Sequence, residues 1–337
     1  MKKRERGRHL AALFFSALLA VSGLFGTNAT AAQARMLVPV GHTVGIKLFA
    51  DGVVVIGLAQ VETERGLSTP GVDCGLRVGD VIEEANGTQV ESSEQFSRLL
   101  QCGGIVRLGV NRSGEELTLS ARPVADEDGT YRLGAWIRDS MAGIGTITFY
   151  DPQTGQFGAL GHGVTDGDTG LLMPLLDGAV MASKVKAVKL GSAGSPGQLR
   201  GEFNLTHDMG TLSANTEHGV FGVMEKSEMT NGQAIPVASF DEVREGKAVI
   251  YANVSGDCVE EYEIEIVKKL DPTGAQNLLL RVTDQELIAK TGGIVQGMSG
   301  SPIIQNGKLV GAVTHVLVND PTKGYGILIE NMLSAAG

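Results

Sequence analysis

The serine with the most suggestive surroundings is Ser299, which lies in the segment GMSGSP. A serine hydroxyl is a poor nucleophile at neutral pH and needs a base within hydrogen-bond reach. Nearby glycines allow a tight turn that directs backbone N–H groups at one point. We therefore interpret this segment as a nucleophile turn in which the amides of Gly297 and Ser299 are oxyanion donors. An ordinary Gly-Ser β-turn is the alternative, since a G-x-S-G pattern arises easily in a chain with 47 glycines.

A base for this serine must come from the six histidines of the chain. His162 is the favoured candidate, because GALGHGVTDGDTG places it between two glycines at the end of an apolar run, where solvent and substrate can reach an imidazole. His218, which also precedes a glycine, is the second candidate. His315 alternates within the strand pattern AVTHVLV and is expected to pack or to reach the surface. A structural histidine remains the alternative for each of them.

Three carboxylates could orient the imidazole. Asp166 and Asp168 are close to His162 in sequence, in a loop that is equally consistent with a solvated turn. Asp284 lies 15 residues before Ser299 (299 − 284). It stands between a strand pattern and a helix pattern, so it is also a good helix N-cap. The residues alone leave these alternatives open.

Composition and patterning indicate the elements that must position these groups. The formal charge of −10 and the lack of a basic patch argue against a nucleic-acid surface. After residue 134, many short apolar runs such as KAVIYANV, EEYEIEIV and KLVGAVTHVLV are separated by turn signals, while helical periodicity is limited to about 284–290. This pattern predicts an all-β barrel pair or sandwich. The three cysteines show no metal or disulfide spacing and are expected to be small buried thiols.

Residues 36–125 form a separate module in this interpretation, followed by an acidic linker at 126–133. TVGIKLFADGVVVIGLAQV contains two strand-like runs divided at residues 50–52 by a hairpin signal, and SEQFSRLLQC is an amphipathic helix. The phrase GLRVGDVIEEANGTQV resembles PDZ domains. The resemblance places Val44, Gly45 and Ile46 in the carboxylate-binding loop and implies that a peptide pairs with a sheet edge.

The N-terminal segment, residues 1–34, has a pattern typical of a secretory signal or a short membrane anchor. MKKRERGRH is basic, LAALFFSALLAVSGLFG is apolar and uncharged, and A-x-A steps follow. The apolar part is near the length needed to span a bilayer, about 17–25 residues. We therefore expect an exported protein, with membrane contact through this segment.

Three separated phrases together resemble the SpoIVB peptidase family, the stage IV sporulation protein B of endospore-forming bacteria. They are LGAWIRDSMAGIGTITFYDP, GALGHGVTD and the stretch from TGGIVQGMSGSP to ILIENML. The resemblance implies a mostly β protein, with a PDZ-like α+β domain followed by a chymotrypsin-like double β-barrel serine peptidase domain at 134–337. The family's catalytic residues fall on His162, Asp284 and Ser299. The short distance from Asp284 to Ser299 departs from classical chymotrypsin-like enzymes, so Asp284 either orients His162 or shapes the nucleophile loop.

The same resemblance implies a role in sporulation signalling. Members are exported between the forespore membranes, cleave themselves, and cut a membrane-associated regulator of an intramembrane protease, which triggers processing of the mother-cell sigma factor precursor. No metal or organic cofactor is expected. The alternative is a non-catalytic, PDZ-containing scaffold or binding protein with a degenerate peptidase domain. An esterase with a nucleophile elbow does not fit, because β structure and not a helix is predicted after Ser299.

Overall fold

Strands dominate the structure, as the short β-branched runs predict. The computed structural model describes residues 35–337, so the predicted signal or anchor segment lies outside the described residues. The strands are β1 (Met36–Pro39), β2 (Thr43–Leu58), β3 (Val61–Thr63), β4 (Gly66–Ser68), β5 (Val81–Ala85), β6 (Thr88–Gln89), β7 (Val106–Arg112), β8 (Glu115–Ala121), β9 (Val124–Ala125), β10 (Tyr131–Arg132), β11 (Ala135–Tyr150), β12 (Gln156–Ala159), β13 (Asp177–Lys189), β14 (Gln198–Thr216), β15 (Gly219–Met224), β16 (Ile235–Pro236), β17 (Gly246–Ser255), β18 (Cys258–Lys269), β19 (Leu278–Val282), β20 (Pro302–Gln305), β21 (Lys308–Leu317) and β22 (Asp320–Leu328). The α-helices of this part are α1 (Pro70–Asp73), α2 (Ser93–Leu99), α3 (Gln285–Thr291) and α4 (Ile329–Ala335). Helix α3 confirms the helical pattern near residues 284–290.

The first barrel is a closed ring of six antiparallel strands. The pairings run from β2 to β13, β14, β15, β12 and β11, and β11 pairs back to β2. Buried apolar side chains fill its interior, among them Ile46, Ile147, Phe157, Val180 and Val220. Closure removes free sheet edges over the paired residues and leaves the loops at the ends of the barrel to carry chemistry.

The second barrel is formed by the C-terminal part of the chain. Strands β17, β18, β19, β22, β21 and β20 close on themselves in that order. Its core includes Ile250, Ile266, Leu280 and Val313. The chain enters β20 through the loop that follows α3, so the predicted nucleophile segment lies at the rim of this barrel.

The PDZ-like module consists of β5, β7 and β8 together with the second half of β2 and the start of β11. Helix α2 begins at the N-cap Ser92, whose side chain accepts from the Gln95 amide, and buries Phe96 in the module core. The predicted fold class, a PDZ-like domain together with a double β-barrel, is confirmed. The module is inserted between β2 and β11 and does not simply precede the barrels.

The predicted module boundaries differ from the structure because β2 is one continuous strand. The hairpin predicted at residues 50–52 is wrong. Gly52 has a φ of +98°, and a Cβ there would lie 2.4 Å from the Ile82 carbonyl oxygen, so the glycine permits a close approach of β5 and makes no chain reversal. Residues 44–49 consequently pair with β13 in the first barrel, although the sequence interpretation placed them in the module. The predicted linker at 126–133 contains β10 and the turn that joins it to β9, which ends at residue 125.

Two smaller findings complete the description of residues 35–337. Cys102 and Cys258 are exposed, so the expectation of buried thiols is wrong for these two, while Cys74 is half-buried; all three are free. In the same part of the chain, no helix combines the length and the apolar character that a membrane crossing requires.

Candidate active site

The nucleophile segment owes its conformation to two glycines in the left-handed region. Gly297 has a φ of +101° and Gly300 a φ of +99°. A Cβ on Gly300 would lie 2.0 Å from the Thr146 carbonyl oxygen, so only glycine fits there. The loop is fastened to β11 by the Thr146 amide, which donates to the Ser299 carbonyl at 3.0 Å, and by the Thr146 hydroxyl, which donates to the Gly297 carbonyl at 2.7 Å.

Alternate backbone amides of this loop are left without acceptors. The Met298 amide donates to the Val295 carbonyl at 3.1 Å, and the Gly300 amide donates to the Val313 carbonyl at 2.8 Å. Among residues 35–337, neither the Gly297 nor the Ser299 amide has a hydrogen-bond acceptor. Two unpaired amides flanking one residue can receive an oxyanion. The arrangement is compatible with the predicted oxyanion donors.

His162 follows β12 through a left-handed turn at Leu160 and Gly161, whose φ values are +67° and +70°. A Cβ on Gly161 would lie 2.9 Å from Ile327 and 3.0 Å from the Thr314 side chain, so the glycine lets the second barrel approach the end of the first. His162 Nδ1 lies 2.8 Å from the Gly163 carbonyl oxygen. Because that oxygen can only accept, Nδ1 carries the proton and Nε2 keeps its lone pair. Burial lowers the pKa of His162, while the Gly163 carbonyl acts in the opposite direction.

His162 and Ser299 line one cavity of about 410 Å³ at the junction of the two barrels. Most of its lining is apolar, including Ile46, Leu160 and Val295. The Ser299 hydroxyl donates to the Thr314 carbonyl at 2.6 Å and not to His162. The structure thus brings base and hydroxyl into one cavity, while a backbone carbonyl holds the hydroxyl proton.

His315 is part of this site, which the sequence interpretation missed. Its ring centroid lies 4.8 Å from that of His162, with an angle of 36° between the planes. Burial and the proximity of His162 lower the pKa of His315 to about 4. The sequence feature that could have indicated His315 was a histidine within an apolar strand pattern just after the nucleophile segment. A strand pattern alone does not reveal which face meets the other barrel.

None of the candidate carboxylates meets His162. Asp166 is fully buried and lies 2.8 Å from Arg138 Nε, and Asp168 lies 3.4 Å from the same guanidinium. These contacts stabilise the loop that follows His162. The Asp284 carboxylate caps α3 by accepting from the Glu286 amide at 2.9 Å and the Leu287 amide at 3.0 Å.

The remaining sequence candidates lie elsewhere. His218 occupies the turn between β14 and β15 and does not line the cavity. Val44, Gly45 and Ile46 are in β2, paired with β11 on one side and β13 on the other, so they form no carboxylate-binding loop. The cause is the continuity of β2 through the predicted hairpin. Among the residues that the structure describes, no group of three or more His, Cys, Asp or Glu side chains could hold a metal ion.

Solved structures similar to this chain include PDZ domains and proteases. The PDZ domain of the SdrC-like protein of Listeria innocua is 25% identical, covers 26% of this chain and 93% of its own, and has a TM-score of 0.22. The active form of the Rv3671c protease of M. tuberculosis is 13% identical over 59% of this chain and 75% of its own, with a TM-score of 0.32. The serine protease AL20 from an extremophilic microorganism is 17% identical over 59% of this chain and 91% of its own, also with a TM-score of 0.32.

One curated relative matches a shorter stretch. The protein named "Putative zinc metalloprotease LL2128" from Lactococcus lactis subsp. lactis (strain IL1403) is 36% identical over 106 residues, which are 31% of this chain. The match spans 23% of that protein's length. The model of the family described as SpoIVB peptidase S55 matches residues 129–333, more than half of the chain, including both His162 and Ser299. The chain therefore belongs to the SpoIVB peptidase S55 family of serine peptidases.

Proposed function

We propose that the chain is a serine endopeptidase in which Ser299 is the nucleophile and His162 the general base. The observation that carries the proposal is that these residues, 137 positions apart in sequence (299 − 162), line one cavity beside two amides without acceptors. A scaffold has no need for this combination. The apolar lining suits an extended peptide segment.

The mechanism begins with a change of hydrogen-bond partner. The Ser299 hydroxyl leaves the Thr314 carbonyl and turns to Nε2 of His162, which takes the proton as Oγ attacks the scissile carbonyl. The amides of Gly297 and Ser299 stabilise the oxyanion of the tetrahedral intermediate. His162 then returns the proton to the leaving amine, and water hydrolyses the acyl-enzyme by the same steps. The Gly163 carbonyl holds Nδ1–H throughout.

The physiological role proposed is sporulation signalling. The protein would be exported between the forespore membranes, cleave itself, and cut a membrane-associated regulator so that processing of the mother-cell sigma factor precursor begins. The N-terminal sequence, with its basic, apolar and A-x-A parts, supports export, and family membership supports a protein substrate. Membrane fractionation and N-terminal sequencing of the protein from sporulating cells test the location and the self-cleavage.

Labelling with a fluorophosphonate probe tests the catalytic assignment directly. We expect modification at Ser299 that is lost in Ser299→Ala and strongly slowed in His162→Ala. Ser301→Ala is the matched control, since the Ser301 hydroxyl is buried with no hydrogen-bond partner among the described residues and its removal should leave labelling intact. Shortened forms of the protein should vanish in Ser299→Ala. A native chain that is folded but unreactive would favour the scaffold alternative.

A further inference from the structure

Strand β11 is paired on one side along most of its length but has a long unpaired edge on the other. β2 pairs with it from Ala135 to Thr146, whereas β12 begins to pair only at Ile147. Within residues 35–337, no strand pairs with the outer edge of residues 135–144. Such an edge offers backbone N–H and C=O groups to another extended chain.

The unpaired backbone N–H and C=O groups of this outer edge extend to the catalytic cavity. The Thr146 amide donates to Ser299, and the Thr146 carbonyl accepts from the Leu160 amide at 3.1 Å, so the backbone of Thr146 faces away from β2. Because successive residues of a strand face opposite edges, Ile144 and Ala142 direct their N–H and C=O groups to the same outer edge. Both residues line the cavity.

The same edge passes the predicted oxyanion loop. A Cβ on Gly297 would lie 3.2 Å from the Ile144 side chain, so the strand and the loop are in direct contact. A peptide paired with Ala142 and Ile144 would therefore lie beside the loop that carries Ser299. A peptide that pairs along this edge would therefore reach the cavity that holds Ser299 and His162.

At its other end the edge runs beside helix α2 of the PDZ-like module. A groove of about 650 Å³ lies there, lined in part by Phe96, Leu100, Trp136 and Ile137. The Asp139 carboxylate accepts from the Ser93 amide at 2.8 Å and ties the start of the helix to the strand. In an extended strand, residues 135 and 142 are separated by about 23 Å, or about seven residues of a paired chain.

The groove is acidic. Glu62, Glu127 and Asp128 contribute to its lining, whereas Arg132 is the only basic residue there and is paired with Asp126. Three carboxylates thus lack a basic partner within the groove lining. A segment that lies in the groove gains from carrying Lys or Arg side chains.

We propose that the substrate is captured as an added strand on the outer edge of β11. It extends from the groove beside α2 to the cavity that holds Ser299, and the portion in the groove carries basic side chains. This inference rests on the proposed peptidase function, since the catalytic cavity defines the end of the edge at which the bound peptide is cut. One strand then serves both as the recognition edge of the PDZ-like module and as the substrate-positioning edge of the first barrel.

Binding is tested in the Ser299→Ala background, so that no turnover is needed. The probe is fluorescein-labelled lysozyme that has been reduced and carbamidomethylated, which makes it unfolded and basic, and the readout is fluorescence anisotropy. Ala142→Pro removes one outer-edge N–H, and proline is tolerated where the N–H of an edge strand faces outward. We expect the Kd to rise about threefold to tenfold, the loss expected for one backbone hydrogen bond.

The charge of the groove provides an independent variant. Glu127→Lys combined with Asp128→Lys should weaken binding of the basic probe and remove its advantage over α-lactalbumin treated in the same way, which is acidic. An unchanged Kd in Ala142→Pro, or no binding of the basic probe at all, would overturn the proposal. If Ala142→Pro proves unfolded by circular dichroism, the groove variant decides. Labelling of Ser299 in the native chain reports the peptidase function separately, so the two can fail independently.

Discussion

A methyl group at Gly300 is expected to break the nucleophile loop. The residue has a φ of +99°, and the added Cβ would lie 2.0 Å from the Thr146 carbonyl oxygen and 2.6 Å from the Leu160 amide nitrogen. Both are backbone atoms, one in β11 and one in the segment that leads to His162. The left-handed conformation costs a residue with a side chain about 1–3 kcal/mol. The overlap adds to this cost, so we expect Gly300→Ala to lower the free energy of unfolding by more than about 4 kcal/mol.

Gly246→Ala is the matched control for this substitution. Gly246 has a φ of +123°, but a Cβ there would meet no atom within 4 Å, so only the conformational cost of about 1–3 kcal/mol applies. Urea unfolding measures both losses. The rate of Ser299 labelling at native conditions should fall in Gly300→Ala and stay unchanged in Gly246→Ala. Equal losses of stability, or normal labelling in a folded Gly300→Ala chain, would refute the argument that the clash positions the loop.

Three further outcomes follow from the site. Burial lowers the pKa of His162, and the neutral form is the base, so activity against an unfolded protein should rise with pH through a midpoint below 6.5; a midpoint above 6.5 would contradict this. The pKa of His315 is about 4 in the folded chain and about 6.5 when unfolded. The neutral imidazole therefore contributes to the free energy of unfolding above pH 6.5, and this contribution is lost as the pH falls toward 4. In His315→Gln the free energy of unfolding should therefore depend less on pH between about 4 and 6.5 than in the native chain. The same pH dependence in both chains would count against this prediction. Asp284→Ala should cost about 1 kcal/mol of stability through loss of the α3 cap, whereas Asp284→Asn keeps the cap and should keep most of the Ser299 labelling rate; a thousandfold loss of labelling in Asp284→Asn would instead indicate that Asp284 orients His162.

Local chemistry was predictable wherever a few consecutive residues determine it. The glycines around Ser299 permit a tight turn, and Asp284 has the sequence context of an N-cap; the structure shows left-handed glycines at 297 and 300 and the Asp284 cap. The phrase GLRVGDVIEEANGTQV was long enough to identify the PDZ-like module. The glycines beside His162 were interpreted as leaving the imidazole open to solvent, whereas the structure shows that Gly161 also lets the second barrel approach the first.

Features that depend on the partner of a strand could not be read from the sequence. A signal such as Asp51-Gly52 is compatible with a hairpin and with a continuous strand that bends past a neighbour, and only the approach of β5 selects the second. His315 belongs to a strand whose exposed face meets the first barrel, which no periodicity specifies. The carboxylate that orients His162 could not be identified from the sequence for the same reason, because its position depends on packing between distant segments, and the role of Asp284 stays a prediction.

Both candidate catalytic side chains are held by backbone carbonyls and not by one another. Ser299 donates to the Thr314 carbonyl, and His162 Nδ1 donates to the Gly163 carbonyl. A neutral hydrogen bond contributes about 0.5–1.5 kcal/mol net, so exchanging the Thr314 carbonyl for Nε2 of His162 is nearly balanced in free energy. The Gly163 contact already fixes the tautomer that leaves Nε2 free. A bound substrate that excludes water from the cavity would strengthen the new hydrogen bond and would thus favour the serine hydroxyl bound to His162 over the one bound to Thr314.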